Sequence, residues 1–133
     1  TELEYIYKLS NLYAANSIPV KLRSVGVDPD NVGADTLLTQ RDITVLSEVE
    51  HSRWNMERLL LGTQPLYASR RAEINDMLKD EDSEVKARGK EVNKYLKDHF
   101  YHKDIAPYEE LLPASKQYDT AIVTNILDVM RNV

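Results

Sequence analysis

Cysteine is absent from this 133-residue chain, which excludes disulfides, thiolate catalysis and thiolate metal sites; cytoplasmic residence fits that absence. No apolar run approaches the roughly 20 residues that a membrane-spanning helix needs, and no signal-peptide pattern opens the chain, so no membrane partner is expected. Glycine is scarce, at 4 residues, and Trp and Phe occur once each. The few glycines form neither a P-loop nor a G-x-G-x-x-G turn, and no nucleophile elbow or Ser-His-Asp order is present, so no residue set presents itself as catalytic machinery. Positive charge is in deficit as well. Seventeen Lys and Arg against 22 Asp and Glu leave a net charge of −5, which argues against a general affinity for nucleic acid. The length suits one domain with a real core, and a first residue of Thr rather than Met suggests a piece of a longer parent chain with other domains.

What is present is helical patterning, and it is richest from Leu46 to Gly62, LSEVEHSRWNMERLLLG, which holds the single tryptophan. At about 100° per residue, Ile43, Leu46, Val49, Met56, Leu60 and Leu61 share one broad arc, which is expected to face the core. Glu50, Arg53 and Glu57 fall inside that arc. Their i,i+3 and i,i+4 spacings are those of a structural ion-pair ladder, which burial would demand. On the edge of the arc lie His51, Trp54 and Arg58, one turn apart. An indole with donors on either side suits a planar, anionic, nucleotide-like small molecule by stacking and charge-assisted hydrogen bonds. The plainer reading is that Trp54 packs at the rim of the core.

The rest of the chain reads as helices around loops. Glu2 to Ala15 keeps a helical period through Leu3, Ile6, Leu9 and Leu12. Ser17 can cap a second short helix, with Pro19 in its first turn and Gly26 at its end. Val27 to Asp35, VDPDNVGAD, reads as a solvated turn with little to pack. A calcium loop through Asp28, Asp30 and Asp35 fails, because Val32 and Thr39 stand where ligands are required. Thr39, with Asp42 three residues on, caps the main helix. Ala68 to His99 is highly charged, with one apolar face interrupted near Asp80-Glu81-Asp82 and a new cap at Ser83. It is either an amphipathic hairpin on the core or a solvated insert. His102 to Pro113 reads as extended chain and one turn, and Ala114 to Met130 as the last helix. His99 and His102, near Glu109 and Glu110, make only a weak metal pattern, and no metal or cofactor is expected.

Two segments, taken in order, resemble one family. Glu48 to Gly62, EVEHSRWNMERLLLG, resembles the opening helix of the ryanodine receptor repeat (RyR domain), with His-x-x-Trp followed by an apolar run and glycine. His102 to Asp119, HKDIAPYEELLPASKQYD, resembles that repeat's second half, and Asn11 to Gly26 resembles the segment preceding it in bacterial single-copy members. Two features depart from the family. Gly62 is followed by Thr63-Gln64-Pro65 where Trp and then Tyr-Gly are usual, and residues 66 to 98 are inserted between the halves.

The resemblance implies a peripheral regulatory module, paired pseudo-symmetrically in calcium-release channels. In bacteria it occurs singly, sometimes beside nucleotide-binding domains. It places a base-stacking role on Trp54, and it implies that a lone copy rebuilds a paired site as a homodimer. No calcium conduction is implied. The expectation is therefore an all-α, RyR-repeat-like domain over 1–133, of about four to six helices with long loops. Its parts are an N-terminal helical segment (1–26), a loop (27–38), a main helix (39–62), a charged insert (66–98) and a second half (99–133). The expected function is non-enzymatic ligand sensing through Trp54, His51 and Arg58, or else protein–protein interaction and scaffolding.

Overall fold

Glu2–Asn16 (α1), Ile18–Ser24 (α2), Gln40–Leu60 (α3), Ala68–Lys79 (α4), Ser83–Asp98 (α5), Pro113–Thr124 (α6) and Ile126–Arg131 (α7) carry most of the computed structural model. It describes residues 1–132. Val133, and the side chain of Leu3 that the helical period of α1 includes, lie outside the described residues. Two short 3-10 turns, Pro29–Asn31 and Tyr108–Glu110, complete the helical content. The class is all-α, as the patterning requires; the only pairing among the described residues is a two-residue parallel bridge, Gln64–Pro65 (β1) with Tyr101–His102 (β2).

The chain forms two compact units where the sequence suggested one domain. Thr1–Trp54 together with the segment from Pro113 onward makes the first, and Asn55–Leu112 makes the second. The α4 and α5 helices lie within the second unit.

In the first unit Ile18 and Leu22 of α2, Leu46 of α3, and Val123, Ile126 and Leu127 of α6 and α7 form the core. Val27, Val32 and Leu38 pack on it and Pro29 is buried, so the stretch from Val27 to Asp35, expected to have little to pack, is part of a structural wall. Asp28 starts the 3-10 turn by accepting from the Asp30 amide at 3.0 Å. That bond and one from the Asn31 side chain hold its carboxyl below the usual carboxylate range. Arg131 clasps the loop, donating to the carbonyls of Gly33 (3.0 Å) and Thr36.

Local signals explain most element boundaries. Thr39 and Asp42 exchange side-chain-to-amide hydrogen bonds of 3.1 and 2.9 Å, a reciprocal capping box that starts α3. Gly62, at φ +90°, ends it. Ser17 does not cap α2. Its hydroxyl donates to the Ala14 carbonyl at 2.7 Å and accepts from Lys21, so the side chain is already spent. The last helix, expected as one piece, divides at Asn125. Asn125 Nδ2 and Thr124 Oγ1 each donate to the carbonyl four residues back, at 2.9 and 2.7 Å, in competition with the backbone.

In the second unit α4 and α5 form the helical hairpin, broken at Asp80–Asp82. Asp82 rather than Ser83 supplies the cap, accepting from the Glu84 amide at 2.8 Å. Ile74, Ile105, Ala106 and Leu111 are buried here, and Arg71 pairs with Glu110. Gly89 lets the two helices meet: a Cβ there would stand 2.9 Å from the Met77 Cβ. Gly89→Val is therefore expected to destabilise the protein by about 2–3 kcal/mol despite a better helix former. Thermal unfolding checks this; an unchanged or higher Tm would contradict the close approach.

Candidate functional site

The face that α3 buries is not the apolar arc. Leu46 is fully buried and Ile43 packs on the core, but Val49, Met56 and Leu60 are 41%, 58% and 79% exposed. Ser47, Glu50, His51, Glu57 and Arg58 are buried instead. The helix is turned toward its polar side because ionic partners on other elements wait there, and an unpaired buried charge costs far more than an exposed valine.

In the first unit Glu50 is the centre of that polar face. Arg53 grips its carboxylate with Nε at 3.1 and 3.0 Å and Nη2 at 2.7 Å. Lys21 of α2 reaches it from a nearly sealed position, with Nζ also donating to Ser17 Oγ at 2.6 Å. Burial pushes the Glu50 carboxyl up, yet the hydrogen bonds from Arg53 and Lys21 outweigh it, and the group stays ionised below its ordinary range. The Glu50–Arg53 pairing was legible from i,i+3 spacing. Lys21 was not singled out, although a lysine between Ile18, Leu22 and Val25 on a short amphipathic helix is itself a signal for a buried cation.

At the next residue, His51 Nδ1 lies 3.2 Å from Asp119 Oδ2 of α6, with both side chains buried. Beside that pair, Ser47 Oγ stands 3.4 Å from Thr120 Oγ1. The Trp54 indole lies over the His51 imidazole, with ring centroids 5.8 Å apart and planes inclined by 24°. Trp54 is half-buried, and the imidazole packs against its ring. His51 is thus directed at Asp119 and backs the indole, rather than standing as an outward donor beside it. Asp119, which no motif marked, completes the stack.

Arg58 and Glu57, the remaining candidates, belong to the second unit and are buried in it. There the charge of Arg58 acts on His102. Burial first, with the Asp104 carboxylate opposing and Lys97, Lys103 and Arg58 reinforcing, brings His102 down to about 4. His102 Nδ1 accepts from the Asp104 amide at 3.1 Å, placing the proton of the neutral ring on Nε2. Lys103 is buried and pairs with Asp104 at 2.6 Å.

His99 faces solvent and stacks on Tyr95 at 4.1 Å, so the two histidines of the His-x-x-His pattern have different surroundings. Among the described residues no three His or carboxylate side chains are grouped to hold a metal ion, and no helix is long and apolar enough to cross a membrane. Phe100 is the one non-glycine at positive φ (+61°) among the described residues.

No protein-family model matches the chain, and neither the curated proteins nor the solved structures contain a significant match.

Proposed function

We propose that this chain is a non-enzymatic regulatory module of the ryanodine-receptor-repeat type that senses a planar, nucleotide-like small molecule on the face of Trp54. The observation that supports the reading is the Trp54–His51–Asp119 stack. One indole face is held by an imidazole, which a buried carboxylate orients in turn, while the residue keeps access to solvent. Such pre-organisation lowers the ordering cost of binding. The buried setting of His51 and Arg58 shifts the weight of recognition from charge to stacking. Membership of the repeat family, cytoplasmic residence in a bacterium and attachment to further domains belong to the same proposal.

The tryptophan is the only one in the chain, so its fluorescence reports directly on this face. Titration with adenosine, AMP and ATP is expected to quench it saturably. Trp54→Ala should weaken binding, followed by calorimetry, by about 5- to 100-fold, the range of roughly 1–3 kcal/mol for a stacked base. Absence of binding to the wild type at millimolar ligand, or equal binding by a folded Trp54→Ala variant, would remove the reading. Recovery of the nucleotide intact after incubation separates a sensor from an enzyme. The rival reading, an interaction or scaffolding module, draws on the large side chains left exposed, with Tyr67 at 88%, Leu60 at 79% and Tyr118 at 76%.

A further inference from the structure

One face of α5 carries positive charge that the fold leaves largely unneutralised. At about 100° per residue, Lys86, Lys90, Lys94 and Lys97 fall within an arc of about 80° that holds no carboxylate. Lys90, Lys94 and Lys97 are exposed and Lys86 is half-buried. Lys94 pairs with Asp98 at 2.6 Å, but among the described residues Lys86, Lys90 and Lys97 have no ion-pair partner. The carboxylates of α4 are already taken, Glu73 by Arg70 and Asp76 by Lys79.

Folding does not account for this row. Like charges three and four residues apart on a helix repel, and the chain as a whole has more acidic than basic residues. The helix dipole favours Lys94 and Lys97 near the C-terminus of α5, yet it disfavours Lys86, the fourth residue from its start. Past the end of the helix, Lys97 acts on His102 in concert with the buried Lys103 and Arg58, against the single carboxylate of Asp104.

We infer that this lysine face is a docking surface for an acidic peptide segment of a partner protein, whose carboxylates lie along the row. Charge complementarity selects an anion, and the shape of the face selects its kind. The row is about 16 Å long but narrow. Glu84, Glu91 and Asp98 form a second row that begins about 40° beyond Lys94. A bilayer or a duplex is broad enough to meet both rows and would be repelled by the acidic one, whereas a peptide covers the lysines alone. Single-stranded nucleic acid is also narrow, but it is held by aromatic rings set among the cations. On α5 the exposed rings of Tyr95 and His99 stack on each other beyond the acidic row. Neighbouring lysines of the row stand about 6 Å apart or less along the axis, within the screening length of about 8 Å at physiological salt, so they act on a partner together. Exposed ion pairs are individually weak, so the complex is transient and dissolves in salt. The face lies in the second unit, and its occupancy does not depend on a ligand at Trp54.

Fluorescence anisotropy of a dye-labelled octaglutamate peptide tests this, at about 50 mM and about 300 mM salt. The wild type is expected to bind at low salt and to lose about tenfold or more in affinity at high salt. Lys90→Glu with Lys97→Glu should weaken binding by about tenfold or more, and Lys90→Gln with Lys97→Gln by a smaller factor. Circular-dichroism melts check that both variants fold. Lys8→Glu with Arg41→Glu changes the net charge equally, at exposed positions of the first unit, and should leave binding within about twofold. Absence of binding by the wild type overturns the inference, as does an equal loss in the two charge-reversed variants, which would reduce the effect to net charge. Tighter binding of an oligothymidylate or of phosphatidylserine vesicles than of the peptide, through the same lysines, overturns the choice of partner.

Discussion

Glu50→Ala is expected to cost about 3–5 kcal/mol of folding stability, the largest single effect open to a side chain in the first unit. The carboxylate it removes neutralises Lys21, which is 2% exposed, and a buried ammonium without its counter-charge must either unfold its surroundings or give up its proton. Arg53→Met is expected to cost about 1 kcal/mol or less. Arg53 is the more exposed partner, at 18%, and Lys21 remains to balance Glu50. The double replacement Lys21→Met with Glu50→Leu should recover much of what Glu50→Ala loses, because a well-packed apolar pair often equals a buried ion pair. Urea unfolding of the four proteins checks the order. A Glu50→Ala variant no less stable than Arg53→Met would mean that the Lys21–Glu50 pair is not the clamp described. The lowered Glu50 pKa adds a pH signature: its stabilisation is fully present above the ordinary 4.5 and is lost as pH falls through the lower folded-state value.

Acid should also destabilise the protein at milder pH, through His102. The imidazole falls from an ordinary 6.5 to about 4 in the fold, so the unfolded chain binds a proton between those values that the folded chain refuses. Stability from this residue is therefore complete above pH 6.5 and declines as pH falls toward 4. A difference of that size corresponds to about 3 kcal/mol at most. His102→Asn keeps a hydrogen-bond acceptor near the position of Nδ1 and removes the titration. Stability measured at intervals from pH 7 to 4.5 should fall clearly less in the variant than in the wild type. Equal slopes would show that His102 is not held neutral by burial and its cationic neighbours.

Residues interacting along the chain were legible without coordinates. The Thr39/Asp42 start and Gly62 stop of α3, the break at Asp80–Asp82 and the Glu50–Arg53 spacing all express forces acting within about one helical turn. The first misreading of consequence was rotational. Periodicity finds the apolar stripe of α3 correctly but treats it as the buried one. Lys21 and Asp119, 29 residues before Glu50 and 68 after His51, turned the polar side inward. The same kind of limit explains Asn125, where a side-chain amide competes for a backbone carbonyl, and the 27–38 loop, whose valines are partly buried against elements that no local window contains. At the candidate site, His51 and Trp54 were visible as a pair one turn apart. Neither the carboxylate behind His51 nor the assignment of Arg58 to a second compact unit could be read from their spacing.

By itself, then, the order of residues determined the helical class, most element ends and the contacts between neighbouring turns, because those depend on backbone propensity and side chains three or four positions apart. Tertiary structure alone decided which side of α3 is covered, which charges neutralise one another, and that the chain gathers into two bodies. The reason is physical: a helix rotates about its axis at little cost until partners distant in sequence offer either apolar surface or opposite charge. Here the ammonium of Lys21, beside Glu50, and the carboxylate of Asp119, within hydrogen-bond reach of His51, selected the orientation.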